Sequence, residues 1–219
     1  MRIQLKSTPM TRVILCAAIS ATLLLAGCST TGGTPKNMMF DFGPAAITAP
    51  AGAAPIMAVV VTDVTGSAAF DNERMYYRLN YADALQARAY TNSRWSATPL
   101  QLITQRLKSR IAQAGAKVLT PTDASNGVAI LRTEIDDFSH SFDSVTQSHG
   151  LLVLRASLFN QHKLIDQKTF TRKIPAASAD APGGARALAA ATDAVAADIN
   201  AWLATLPATV PTTLPLPKK

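Results

Sequence analysis

"MYYRLNYADALQARAYTNSRWSATPLQLITQRL", Met75 to Leu107, places two periodicities back to back. In its first half Met75, Tyr77 and Leu79 alternate with Tyr76, Arg78 and Asn80. Leu85, Ala87 and Ala89 then alternate with Gln86, Arg88 and Tyr90. A period of two belongs to strands, so the segment predicts a hairpin that turns around Tyr81–Ala84. In its second half the spacing changes to that of a helix: Leu100, Ile103, Leu107 and Ile111 form one stripe, with Gln101, Arg106, Lys108 and Arg110 largely off it. Ser96 or Thr98 can cap this helix, Pro99 suits its first turn, and Gly115 ends it. A hairpin that feeds an amphipathic helix points to an α+β domain, and Trp95 stands at the junction.

Upstream, "IMAVVVTDV" (Ile56–Val64) is apolar and β-branched between Pro55 and Gly66, as a buried strand would be. "MMFDFGP" begins a short strand with Phe40 and Phe42 on one face. Downstream, "AKVLTP" is a short strand and "TDASNG" a turn. "VAILRTEIDDFSHSF", "GLLVLRASLF" and "KLIDQKTFTRKI" are long strands, the last two joined at "NQHK". Leu152, Leu154, Ala156 and Leu158 share a face, with Arg155 and Ser157 opposite. A second long helix starts near Pro182. Leu188, Val195, Ile199, Trp202 and Leu206 line its apolar side, among alanines that allow close approach to a sheet. The expected fold class is α+β: an antiparallel or mixed sheet with two long helices packed on one face. No internal repeat is visible.

The amino terminus reads differently. Arg2, Lys6 and Arg12 precede the apolar run Val13–Ala26, and no acidic residue comes before Asp41. That is the layout of a secretory signal. A helix over this run reaches roughly 21 Å, short of a ~30 Å hydrocarbon core. Leu25-Ala26-Gly27-Cys28 resembles the bacterial lipobox, in which the cysteine sulfur receives a diacylglycerol and the cut falls just before it. The new amino terminus is then acylated, by a chain such as palmitate. Cys16, the other cysteine, lies inside the removed run, so Cys28 has no disulfide partner. Ser29, where retention signals carry Asp, favours the outer membrane of a Gram-negative bacterium. The expected organisation is therefore a signal peptide (1–27), a flexible tether (28–37), one domain (38–206) and a Pro-rich mobile tail (207–219). Diacylglycerol and N-acyl groups on Cys28 are the covalent modifications expected; no other cofactor is.

The formal net charge of +7 falls to +4 once the three basic residues of the signal leave. No run of like charge and no basic cluster interleaved with aromatics is present, which argues against nucleic acid as a partner. Catalytic chemistry has little support either. His140 and His149 could approach across a hairpin near Asp143, but their spacing matches no metal motif, and ordinary loop histidines are the plainer expectation. Asp136 and Asp137 are strand neighbours, so their carboxylates point to opposite faces. "PGGAR" reads as the start of a helix rather than an anion site. No Gly-x-Ser-x-Gly, P-loop, Cys-x-x-Cys or His-Glu-x-x-His occurs.

The segment "ERMYYRLNYADALQARAYTNSRWSATPLQLITQRL" resembles the ABC-type transport auxiliary lipoprotein family, which includes lipoproteins of the paraquat-inducible (MCE-domain) systems. The likeness lies in the valine-rich strand, the Tyr77-Arg78 pair, Arg94-Trp95 before the helix, the lipobox and the alanine-rich final helix. It covers roughly residues 38–206. The resemblance implies a periplasm-facing, outer-membrane lipoprotein that serves an ABC transporter with an MCE-type component and moves lipids or other hydrophobic molecules. It implies no catalysis by this subunit. On that reading Tyr76, Arg78, Arg88 and Tyr90 share an outer strand face that could meet the partner, since Tyr and Arg dominate interface hot spots. Tyr77 and Trp95 are structural, with Trp95 holding the helix start against the sheet. Self-association is left open. Two alternatives stand beside this reading: a structural or regulatory envelope lipoprotein that binds cell wall or a synthase, and a direct lipid carrier, which would need an apolar cavity.

Overall fold

The computed structural model describes residues 37–45, 58–123 and 127–206. Cys28, most of the tether and the Pro-rich tail lie outside them, as do Ile56 and Met57. In chain order the elements are β1 (Met38–Phe40), β2 (Ala58–Val61), β3 (Thr65–Gly66), a 3-10 turn (Ala68–Phe70), β4 (Arg74–Leu79) and β5 (Asp83–Trp95). They continue with α1 (Pro99–Gln113), β6 (Lys117–Leu119), β7 (Ile130–Phe142), β8 (Ser148–Asn160), β9 (Lys163–Pro175) and α2 (Ala181–Thr205).

The strands form one mixed sheet of nine. Three long strands, β7, β8 and β9, make an antiparallel meander, because each alternates apolar and polar residues and the connections are tight. Gln161, at φ 54, turns β8 into β9. The opposite edge of β7 is shared by three strands in succession, all parallel to it. β2 pairs at Ile130–Leu131, β3 at Glu134–Ile135 and β4 at His140–Phe142. β6 flanks β2, β5 flanks β4, and β1 flanks the last residues of β5. The expected strand over Ile56–Val64 is thus shorter. It pairs through Ala58–Val61 and then leaves the sheet, because the edge of β7 is taken up next by Thr65–Gly66.

Both helices cover one face of the sheet, as expected. Thr98, not Ser96, caps α1: its hydroxyl accepts from the Gln101 N–H, and the Gln101 side chain accepts from the Thr98 N–H. Such a capping box contributes about 1 kcal/mol. Ile103, Leu107 and Ile111 are buried against β2 and β7 residues, and Leu102 joins them. Arg106 corrects the expected stripe, because it too is buried. Its guanidinium donates to the carbonyls of Phe42 and Gly43 and lies 3.5 Å from Asp193, so a charge is accommodated inside by two carbonyls and a carboxylate.

Asp180 caps α2 by accepting from the Gly183 N–H at 2.8 Å. This uses a donor that the "PGGAR" segment would otherwise leave free. Leu188, Val195, Ile199 and Trp202 face the core, while Leu206 stands just past the helix as its cap. Buried Ala185, Ala187, Ala191 and Ala196 let the helix sit close on β8. Three polar ties fix its position: Arg110 to Asp193 (2.8 Å), Arg172 to Asp198 (2.6 Å) and the Trp202 indole N–H to Asp166 (2.8 Å).

Candidate functional site

Trp95 is buried at the end of β5, with Phe42 edge-on at 5.6 Å and Phe138 also at 5.6 Å. Its backbone N–H donates to the Glu73 carbonyl at 2.8 Å. These contacts seat Trp95 in the core just ahead of α1, between Phe42, just past β1, and Phe138 of β7. Tyr77 is half-buried, its ring 4.6 Å from that of Tyr90 and 6.0 Å from that of Phe142.

Register divides the four residues expected to share an outer strand face. Tyr76 lies opposite Ala89 and Tyr77 opposite Arg88, so Tyr76 and Arg78 point to one side, Arg88 and Tyr90 to the other. The cause is a pair of irregularities in the hairpin. Between Tyr76↔Ala89 and Arg74↔Arg94, β5 spends four residues against one of β4. A second slip falls between Tyr77 and Leu79. Each shift resets which side chains face inward, and no local sequence period announces it.

Tyr90 consequently faces the interior, where its hydroxyl lies 2.8 Å from Nδ1 of His140. Burial raises the phenol pKa, with Tyr77 and Asp180 adding to the effect. His140 is moved the other way, down to about 4, chiefly by burial, with His149 adding and Asp180 opposing. Both groups stay neutral and share one hydrogen bond. His140 Nε2 has no partner among the described residues. The ring is enclosed by Phe142 at 4.4 Å and by Gly184 of α2, where a methyl group would come within 2.3 Å of Nδ1.

His140 and His149 are therefore strand residues, not loop residues, which corrects the sequence reading. His149 Nδ1 lies 2.9 Å from Asp143 Oδ2, apart from the Tyr90–His140 pair. Only His162 occupies a turn. Among the described residues no group of three or more His, Cys, Asp or Glu side chains could hold a metal. Asp136 falls at a bulge in β7, between Ile135↔Leu154 and Asp137↔Val153, and lies 4.0 Å from Arg155.

What the interior lacks in convergent chemistry, one end of the sheet offers in apolar surface. The β4–β5 turn and the β7–β8 turn lie side by side, because the Asn80 N–H donates to the Phe142 carbonyl at 2.9 Å. This end carries Leu85 (92% exposed), Val145 (72%) and Tyr81 (48%). Residues 84–89 of β5 are exposed on both faces, so the hairpin stands clear of the helices. The sequence reading missed this cluster. Its one visible signal was Val145 alone in the polar turn "DSVTQS".

No curated protein matches the chain. Two solved structures share its fold. A Xanthomonas campestris protein of the DUF330 family aligns at a TM-score of 0.64 and 16% identity, over 75% of this chain and 94% of that one. An uncharacterized protein aligns at 0.61 and 13% identity, over 77% and 99%. The family model for the ABC-type transport auxiliary lipoprotein component matches residues 40–200, which takes in β2 to β9, all of α1 and most of α2, and the chain belongs to that family.

Proposed function

We propose that this protein is a non-catalytic auxiliary subunit of an MCE-associated ABC transport system that moves lipids or other hydrophobic molecules across the envelope. In this reading Cys28 carries the lipid anchor in the outer membrane, the domain faces the periplasm, and the domain works by docking onto the MCE-type component. The observation that carries the reading is the exposed end of the sheet. Tyr81 and Leu85 on the β4–β5 hairpin and Val145 on the adjoining β7–β8 turn expose apolar surface at one end of the sheet, a shape suited to a partner's groove. Tyr76 and Arg78, on the outer face of β4, extend that contact, whereas Tyr90 serves the interior. Family membership supports a role beside a transporter.

The test is capture of the MCE-type component by the full lipidated protein. Leu85→Asp with Val145→Asp should abolish capture while leaving the melting temperature within a few degrees, since both side chains are exposed. Undiminished capture by the double variant would refute the docking surface. No capture by the parent protein, with a deletion phenotype independent of the transporter genes, would refute the assignment and favour cell-wall binding. Mass spectrometry of the mature amino terminus should find Cys28 acylated.

A further inference from the structure

We infer that a second surface, built on Arg74, Arg94 and Met39, rests on the phosphate headgroups of the bilayer that holds the anchor. The inference rests on Cys28 carrying that anchor. The strand register sets these three residues in one row. Met39 of β1 lies opposite Arg94 of β5, and Arg94 lies opposite Arg74 of β4. Residues paired in this way across adjacent strands point to the same face. Both arginines are exposed, and Met39 is 56% exposed.

Two like charges placed directly opposite each other destabilise a strand pair. Elsewhere the protein neutralises such groups: Arg106, Arg110, Arg155 and Arg172 each have a carboxylate partner. Among the described residues Arg74 and Arg94 have none, and their guanidinium groups make no hydrogen bond. Glu73 and Asn92 line the recess of about 600 Å³ beside them, but neither bonds to the arginines. The four-against-one bulge in β5 lies at this recess, and Arg74 and Arg94 both line it. Neighbouring guanidinium groups with no carboxylate partner among the described residues suit phosphate oxygens, which each can bind through two parallel hydrogen bonds.

Position selects the source of the phosphate. Asn37 lines the same recess, and Cys28 lies nine residues before it. Nine residues span at most about 32 Å, so the patch stays within reach of the surface in which the lipid sits. Met39, 56% exposed, lies near the root of the tether, where an apolar side chain can enter the headgroup layer. An acyl anchor and a basic patch then act as two signals on one membrane, each basic residue near an anionic surface adding to the hold.

The test uses the full lipidated protein on vesicles of phosphatidylethanolamine and phosphatidylglycerol. A polarity-sensitive fluorophore is attached through Met39→Cys, and in a separate sample through Leu85→Cys. The position 39 probe should shift to the blue and be quenched by lipids brominated near the headgroup. Both effects should disappear in the Arg74→Glu, Arg94→Glu background and in 0.5 M salt, which shortens the Debye length to about 4 Å. The position 85 probe should stay in water throughout. Flotation with the vesicles reports the anchor independently. If all variants float and the position 39 probe is equally water-exposed with and without the arginines, the surface assignment is overturned and the anchor stands. If the parent protein does not float, the anchor reading is overturned and the inference falls with it.

Discussion

Gly150→Ala tests how tightly α2 is pressed onto the sheet. Gly150 lies in the middle of the covered face, opposite His140 on β7 and Ile174 on β9. A methyl group there would sit 2.6 Å from the backbone carbon of Ala187 and 2.6 Å from the backbone nitrogen of Leu188, and 3.0 Å from the Ala187 methyl. Ordinary contacts between such atoms begin near 3.4 Å, so the helix must withdraw by roughly 0.8 Å. Backbone cannot swing aside as a flexible side chain does. Withdrawal pulls against the Arg110–Asp193, Arg172–Asp198 and Trp202–Asp166 ties and opens space beneath Leu188 and Ala191, now fully packed. Overpacking of this kind costs about 1–3 kcal/mol. Gly150 does not adopt a positive φ, so alanine also recovers about 0.4–1 kcal/mol through the unfolded chain. The net loss is about 1–2 kcal/mol. For a domain of this size that lowers the melting temperature by about 2–8 °C. Thermal unfolding of the purified chain, followed by circular dichroism, measures it. Adding Ala187→Gly should restore only a small part, because two of the three close contacts are with backbone. A melting temperature equal to or above that of the parent would refute the close seating of α2 on β8.

Trp95→Ala should cost about 3–5 kcal/mol in denaturant unfolding, because it empties the space between Phe42 and Phe138, and Trp95→Phe should cost clearly less. A loss of partner capture with unchanged unfolding would instead make Trp95 an interface residue. His140 is held neutral in the folded protein, its pKa lowered from 6.5 to about 4, so between these values the unfolded chain binds the extra proton. Stability should therefore fall as pH drops from about 6.5 to about 4, and His140→Gln should flatten that slope in a pH series of urea midpoints. Replacing Arg94 by Gln relieves the repulsion with Arg74, so in buffer without lipid the melting temperature should rise slightly; a fall would mean that the arginine supports the strand.

The signals legible in the sequence were local ones. The capped helix from Pro99 and the helix over Ala181–Thr205 are written in caps and a 3.6-residue period, both of which act within a few turns. The β7–β8–β9 meander follows from alternation and short turns, so Leu152, Leu154, Ala156 and Leu158 are buried as their period requires. The family resemblance was carried by the same segments. Tertiary structure decided what depends on partners distant in the chain. Three short strands divide one edge of β7 between them, and this shortened the strand expected at Ile56–Val64. Arg106 is buried because carbonyls of Phe42 and Gly43 happen to reach it. His140 is enclosed because Gly184, on a helix that follows it by some forty positions, leaves room for its ring. Tyr90 turns inward, and Arg74 meets Arg94, because extra residues in β5 shift the register of a hairpin. A one-residue slip reverses every facing while leaving composition and period almost untouched. Register is fixed by the total packing of both faces, which no single stretch of the sequence contains.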